Sequence, residues 1–122
     1  MPKRILVADD EPNILLSLEF LLKQAGYDVI TATDGESALA AVAAEKPDLV
    51  LLDVMMPRRD GFEVCQILRS DPAHKGLPIV MLTAKGRDIE QEKGLSLGAD
   101  AYITKPFATQ QVVEKVRELL AG

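Results

Sequence analysis

The sequence predicts an α/β fold, a (βα)5 doubly wound five-stranded parallel sheet with helices on both faces. Two observations lead to this prediction. Five short runs rich in apolar and β-branched residues alternate with longer segments of helical periodicity along the 122 residues. The first, third and fourth runs also lack the polar alternation of half-exposed strands, which is typical of central strands that helices cover on both sides.

The individual elements follow from this pattern in chain order. The predicted strands are RILVA, DVITAT, LVLLD, IVMLT and AYIT, and the predicted helices cover residues 13–24, 36–45, 62–69, 88–96 and 109–120. Gly26 and Gly98 lie where helices stop, and Asp34 precedes the second helix as an N-cap. Residues 85–93 are expected to form a loop and an exposed helix face. Because no linker interrupts the series, we expect residues 1–122 to form a single domain.

Composition and charge exclude several classes of protein. No apolar run approaches the roughly 20 residues needed to cross a bilayer, which excludes a membrane span. A net charge of -5 and scattered basic residues argue against direct nucleic-acid binding. Nothing near Met1 resembles a signal peptide, so a cytoplasmic location is expected. The lone cysteine, Cys65, shares an apolar helical stripe with Phe62 and Leu68, which predicts a buried, unreactive thiol.

Polar side chains follow four of the predicted strands. In an open α/β sheet the ligand site lies outside these carboxyl ends. The residues concerned are Asp9, Asp10 and Glu11 after the first strand, Asp53 at the end of the third, Thr83 at the end of the fourth, and Thr104 and Lys105 at the end of the fifth. Clustered carboxylates cost free energy unless a cation or a basic side chain offsets them, or the loop that carries them is fully solvated. If these strands are neighbours, oxygen ligands without histidine or cysteine suit Mg²⁺.

A simpler interpretation fits some of these residues better than others. Glu11 and Asn13 are equally well explained as residues that favour the start of the first helix. Asp53 ends an almost wholly apolar run and is followed by another, so its burial without a partner would be expensive. Lys105, beside Pro106, needs a counter-charge for the same reason.

In their order and spacing these residues resemble the receiver domain of bacterial response regulators, over essentially the whole chain. The landmarks are Asp9-Asp10, Asp53 in LLDVMMPRRDGFE, Thr83-Ala84 in MLTA, and Lys105-Pro106-Phe107 in YITKPF. Each landmark is weak alone, but four in order are specific. The resemblance implies the strand order 2-1-3-4-5 and a cis peptide bond between Lys105 and Pro106.

The resemblance also implies a chemical site. Asp53 would be the phosphoacceptor, while Asp9 and Asp10, together with Asp53 and the backbone carbonyl of Met55, would hold Mg²⁺. The protein would then be a phosphorylation-dependent signalling switch of a two-component system. It would catalyse its own phosphorylation and dephosphorylation without being a turnover enzyme in the usual sense.

A switch and a set of partners are implied in the same way. Thr83 and Lys105 would contact the phosphoryl oxygens, and Tyr102 would rotate inward when Thr83 moves, changing the surface of the fourth helix, fifth strand and fifth helix. The expected partners are a sensor histidine kinase or histidine phosphotransfer protein and a downstream effector. A phosphorylation-dependent homodimer stays open, but many DNA-binding relatives dimerise through charge pairs that include Asp at position 101 and Glu at position 111, where this chain has Ala101 and Gln111.

Two other functions stay open. A magnesium-dependent aspartyl-phosphate phosphatase of the haloacid-dehalogenase type has similar groups, but its nucleophile strand usually reads Asp-x-Asp, and here Met55 stands at the second position. A receiver-like module that binds partners without phosphorylation is disfavoured by the intact set of acids, threonine and lysine. The sequence leaves open the cognate kinase, the output, and whether the chain is a stand-alone regulator or part of a longer protein.

Overall fold

A five-stranded parallel sheet with the order β2-β1-β3-β4-β5 forms the centre of the molecule in the computed structural model, which describes residues 2–84 and 88–121. The strands are β1 (Arg4–Ala8), β2 (Asp28–Ala32), β3 (Leu49–Asp53), β4 (Ile79–Ala84) and β5 (Ala101–Lys105). The helices are α1 (Pro12–Gln24), α2 (Gly35–Glu45), α3 (Gly61–Ser70), α4 (Asp88–Ser96) and α5 (Thr109–Ala121). The predicted fold class and strand order are confirmed, and predicted element bounds differ by one residue at most.

Helices cover both faces of the sheet because side chains alternate between faces along each strand. One apolar cluster joins α1 and α5 to the sheet, and it includes Ile5, Leu18, Leu51, Leu82 and Val112. The other joins α2 and α3 to the opposite face, and it includes Leu6, Val42, Leu52, Val64 and Met81. Cys65 is fully buried in this second cluster, as predicted. The strands that carry the polar groups at their ends are therefore held in place by an apolar cluster on each face of the sheet.

The loop that follows Asp53 is held by the helices around it. Asp60 caps α3 by accepting a hydrogen bond from the Glu63 N–H at 2.9 Å, and the Gly61 N–H donates to the Val54 carbonyl at 2.8 Å. A side chain at Gly61 would collide with the Asp53 carbonyl oxygen, so only glycine permits this close approach. The backbone at Asp53 is thus fixed by the start of α3.

A charged residue of helix α4 is buried, although residues 85–93 were expected to form a loop and an exposed helix face. Glu90 is 7% exposed, so that expectation is wrong at Glu90; residues 85–87 lie outside the described residues. The reason is Gly94, one turn further on, whose missing side chain lets α4 approach Met81 of β4. Glu90 shares that inward face. Within the described ranges, no helix is long and apolar enough to cross a membrane.

Candidate functional site

The carboxyl ends of β1, β3 and β5 bring Asp9, Asp53 and Lys105 together at one edge of the sheet. Strands β1 and β3 are direct neighbours, and β4 lies between β3 and β5. The Lys105 Nζ lies 2.7 Å from Asp9 Oδ2 and 3.3 Å from Asp53 Oδ1. The convergence of strand-end charges that the sequence predicted is therefore present.

Three carboxylates of this cluster could hold one metal ion. One oxygen each from Asp9, Asp10 and Asp53 lies within 4.8 Å of the other two. Asp9 and Asp53 are buried, whereas Asp10 is exposed, so one side of the group is open to water. Asp9 is oriented by the Glu11 N–H, which donates to its Oδ1 at 2.9 Å. A set of hard oxygens with a solvent-facing side fits Mg²⁺, which keeps several of its waters in protein sites.

Glu11 belongs to this charge cluster through its side chain. It occupies the N-cap position of α1, but its side chain makes no capping hydrogen bond. Its Oε1 lies 3.5 Å from the Lys105 Nζ, and the side chain is largely exposed. The structure therefore favours a solvated charge partner of Lys105 over a helix cap.

The electrostatics of the site centre on Asp53. Burial and, to a smaller extent, the negative charge of Asp9 raise the pKa of Asp53, the charge of Lys105 lowers it, and the net result is a pKa of about 7. Burial lowers the pKa of Lys105, but its hydrogen bond to Asp9 and the charge of Asp53 outweigh this, so the net direction is upward. The ionised site carries excess negative charge that a cation would neutralise.

A cavity of about 260 Å³ opens over these groups. Its lining residues are Asp10, Glu11, Asp53, Val54, Met55, Leu82, Ala84, Glu90 and Lys105. At about 30 Å³ for each water molecule, the volume accommodates a phosphoryl group with several waters. Glu90 was missed by the sequence analysis, because an acid in a polar helical segment gives no signal of burial.

Thr83 lies on β4 between two residues that line the cavity, and Tyr102 lies on the neighbouring strand β5. Thr83 is fully buried, and its hydroxyl has no hydrogen-bond partner in the part of the chain that the structure describes. In the sheet register Thr83 pairs with Thr104, and Tyr102, which is 40% exposed, pairs with Met81. The peptide bond between Lys105 and Pro106 is cis, as predicted.

A hydrogen bond between α4 and β5 was also missed by the sequence analysis. Gln91 Nε2 donates to Thr104 Oγ1 at 3.1 Å. This hydrogen bond depends on the distance between the helix and the sheet, and no local sequence pattern indicates that distance.

Comparison with known proteins identifies the family to which the chain is similar. Residues 5–117 match the family model of the response regulator receiver domain. The alkaline phosphatase synthesis transcriptional regulatory protein PhoP of Bacillus subtilis (strain 168) is 51% identical over 120 residues. That alignment covers 98% of this chain and 49% of the relative, so the chain spans about half the length of the curated protein it matches.

Several solved structures of response regulators have the same fold as this chain. A putative response regulator from Chloroflexus aurantiacus J-10-fl has a TM-score of 0.96 and 38% identity, with all of both chains covered. The chemotaxis response regulator CheY4 of Vibrio cholerae has a TM-score of 0.92 and 32% identity, covering 98% of this chain and 100% of the other. The receiver domain of NtrX from Brucella abortus has a TM-score of 0.90 and 32% identity over 96% and 98% of the two chains.

The site agrees with this family in its chemistry. The acidic triad of Asp9, Asp10 and Asp53 is typical of the receiver-domain metal site and is consistent with phosphoaspartate signalling. A receiver domain is a signalling module rather than a turnover enzyme, and it implies a partner histidine kinase. By sequence, structure and site, the chain belongs to the response regulator receiver domain family.

Proposed function

We propose that residues 1–122 form a single receiver domain that accepts a phosphoryl group on Asp53. The donor would be the phosphohistidine of a sensor kinase or of a histidine phosphotransfer protein. Asp9, Asp10, Asp53 and the backbone carbonyl of Met55 would hold Mg²⁺. The observation that carries the proposal is the position of Asp53, a buried carboxylate in a solvent-connected cavity, 3.3 Å from an ammonium and within a three-carboxylate cluster.

The chain itself supplies the groups that phosphoryl transfer needs. Such reactions depend on placing the reactants in line and on neutralising charge. When bound, Mg²⁺ neutralises charge on the phosphoryl oxygens. An Asp53 carboxylate oxygen forms the new bond to phosphorus, while the bond to the donor breaks and the donor leaves with its electron pair. Lys105, already beside Asp53, binds a phosphoryl oxygen as the transfer proceeds.

Thr83 and Tyr102 would convert the modification into a change of surface. The added phosphoryl group carries roughly -1.5 to -2 charges and three acceptor oxygens. The Thr83 hydroxyl, which lacks a partner among the described residues, can donate to one of them. Movement of Thr83 makes room on that face of the sheet, and the half-exposed Tyr102 ring turns inward to fill it. The packing of α4, β5 and α5 then changes where a downstream effector would bind.

The chemistry of this site does not determine which downstream process the domain controls. PhoP is by name a transcriptional regulatory protein, and the chain corresponds to about half of its length. With a net charge of -5, we propose that this domain does not itself contact nucleic acid. Homodimerisation on phosphorylation would have to proceed without acidic groups at Ala101 and Gln111.

Phosphorylation by a small donor tests this function directly. Incubation with Mg²⁺ and acetyl phosphate should add the mass of one phosphoryl group to the intact protein, and Asp53→Asn should abolish the addition. Asp60→Asn is the matched control, because the Asp60 side chain caps α3 and asparagine is an equally good cap. Addition to Asp53→Asn, or equal addition without divalent metal, would contradict the proposal.

A further inference from the structure

We propose that the hydrogen bond between Gln91 and Thr104 is a latch: it holds α4 against β5 in the unphosphorylated protein and must open before Tyr102 can turn inward. This inference rests on the proposed function, since it names a regulatory contact of the same site. It concerns two residues that take no part in metal binding or phosphoryl transfer.

The latch joins two elements beside the buried threonine. Gln91 Nε2 donates to Thr104 Oγ1 at 3.1 Å, in a partly buried position. Thr104 directly precedes Lys105 on β5 and pairs in the sheet register with Thr83. The bond therefore ends on the strand position next to the hydroxyl that would move on phosphorylation.

Helix α4 buries little apolar side-chain area of its own. All nine of its residues are described, and only Glu90 and Gly94 are buried. Its larger apolar side chains face outward, with Ile89 81% and Leu95 43% exposed. Because burial of apolar area is the main stabilising term in packing, a helix whose buried residues are an acid and a glycine gains little from its own apolar side chains, and its polar contacts matter more. The hydrogen bond between Gln91 and Thr104 joins α4 to β5, and the Lys93 ammonium over the Phe62 ring, 4.6 Å from its centre, joins α4 to α3.

Tyr102 and the latch compete for the same space. Tyr102 and Thr104 are two residues apart on β5 and so point to the same face of the sheet. Ile103, between them, points to the opposite face, into the cluster with α1 and α5. An inward Tyr102 ring must enter the space between β5 and α4, where the Gln91 side chain reaches Thr104. The latch therefore stabilises the unphosphorylated packing alone.

A contact that exists in one of two states shifts their equilibrium by its own free energy. Removal of the latch should raise the population of the active packing, and apparent affinity for any ligand that prefers this packing should rise by the same factor. From the usual net contribution of one hydrogen bond, the expected gain in affinity is about three- to tenfold.

The probe is beryllofluoride with Mg²⁺, a stable mimic of the phosphoryl group, titrated by calorimetry. Thr104→Val removes the acceptor and Gln91→Leu removes the donor, each with little change in volume. Each should bind beryllofluoride about three- to tenfold more tightly than wild type. The double variant should bind no more tightly than either single variant, because all remove the same bond. Gln66→Leu, on the exposed surface of α3, should leave the affinity unchanged.

A second measurement separates a latch from a simple stability effect. In the metal-free Thr104→Val protein, the amide resonances of Tyr102 and of α4 should move part of the way toward their positions in beryllofluoride-bound wild type. A bond with only a structural role would lower the melting temperature and leave these resonances and the affinity in place. If Thr104→Val does not fold, Gln91→Leu gives the same test from the partly exposed α4 side.

The outcomes distinguish the latch from the function on which it rests. Wild type that fails to bind beryllofluoride would overturn the proposed function, and the latch with it. Wild type that binds normally, with unchanged or weaker affinity in both folded single variants, would overturn the latch alone. Additive gains in the double variant would also contradict a shared hydrogen bond.

Discussion

Lys105 donates a hydrogen bond of 2.7 Å to Asp9, a residue 96 positions earlier in the chain. The same ammonium is 3.3 Å from Asp53, so its charge is shared between a metal-ligand candidate and the proposed phosphoacceptor. Asp9 is fully buried and Lys105 is 17% exposed, which makes the pair the main internal compensation of this acidic site. Phosphorylation would require Lys105 to exchange part of this contact for a phosphoryl oxygen.

Replacement of Lys105 by methionine should destabilise the protein in the absence of metal. Loss of one partner of a fully buried ion pair costs roughly 3–5 kcal/mol, and the partial exposure of Lys105 reduces the expected loss to about 2 kcal/mol. Urea unfolding with a chelator measures it. Lys115→Met, which removes an ion pair with Glu118 on the surface of α5, is the control and should change stability by about 0.5 kcal/mol or less. Equal losses in both variants would show that Lys105 compensates no buried charge.

The raised pKa of Asp53 predicts a specific pH dependence of stability in metal-free protein. Burial and the charge of Asp9 raise this pKa from the ordinary 3.8 to about 7, so between these values the folded state binds a proton that the unfolded state has released. The stabilising contribution is therefore complete below pH 3.8 and is lost as the pH rises through 7.

Urea unfolding of wild type and Asp53→Asn, at a series of pH values with a chelator, measures this contribution. The free energy of unfolding of wild type should fall relative to that of Asp53→Asn as the pH rises, by at most about 1.4 kcal/mol per pH unit. The difference between the two proteins should become constant above the pKa of Asp53 in the folded state. A constant difference between pH 5 and 8.5 would mean that Asp53 does not titrate in this range. The low-pH values serve as the internal control, since both side chains are then neutral.

Neutralisation of Asp10 should have opposite effects on the affinity for Mg²⁺ and on the stability of the metal-free protein. Asp10 is exposed, and its charge contributes least to the raised pKa of Asp53. Asp10→Asn should therefore raise the metal-free melting temperature only slightly, while it weakens Mg²⁺ binding by at least about tenfold. The rise of melting temperature with Mg²⁺ concentration reports the affinity.

The matched control for Asp10→Asn is Asp28→Asn, which removes an exposed acid at the start of β2. It should leave the response to Mg²⁺ as in wild type. An Asp10→Asn protein that is less stable than wild type without metal would instead assign Asp10 a structural hydrogen bond. Equal stabilisation of both variants by Mg²⁺ would exclude Asp10 as a ligand.

Much of the site could be predicted because its residues stand at strand ends. Asp53 closes an apolar run, and parallel strands bring their carboxyl ends to one edge, so convergence with Asp9 and Lys105 followed from the alternation of elements. These are local patterns combined with one topological rule. The burial of Asp53 followed from the same run.

The environment of α4 could not be predicted in this way. Its apolar residues Ile89 and Leu95 point to solvent, whereas Glu90 is buried, which is the reverse of an amphipathic pattern. The cause is the close approach at Gly94, a tertiary contact. The bond between Gln91 and Thr104 depends on the same distance between helix and sheet, so both features required the structure.

The coupling between Thr83 and Tyr102 predicts that removal of one hydroxyl will separate modification from response. The Thr83 hydroxyl is buried and has no hydrogen-bond partner in the ranges 2–84 and 88–121, so Thr83→Ala breaks no described hydrogen bond and should leave the fold intact. What it removes is the donor that the phosphoryl oxygens would attract. Without that donor the residue at position 83 is not drawn toward the phosphoryl oxygens, and the movement that would let Tyr102 turn inward does not occur.

Amide spectra with and without beryllofluoride, recorded on wild type and on Thr83→Ala, measure this coupling. In wild type the resonances of Tyr102 and of α4 should shift, whereas in Thr83→Ala they should barely move even though Asp53 still binds the mimic, more weakly. A ligand shifts a two-state equilibrium only by its differential interaction with the two states, and a full reversal from 1:99 to 99:1 needs about 5.5 kcal/mol. Thr31→Ala, an exposed threonine on β2 at the other edge of the sheet, should respond as wild type does. Equal shifts around Tyr102 in Thr83→Ala and wild type would exclude the hydroxyl as the link between the phosphoryl group and the aromatic ring.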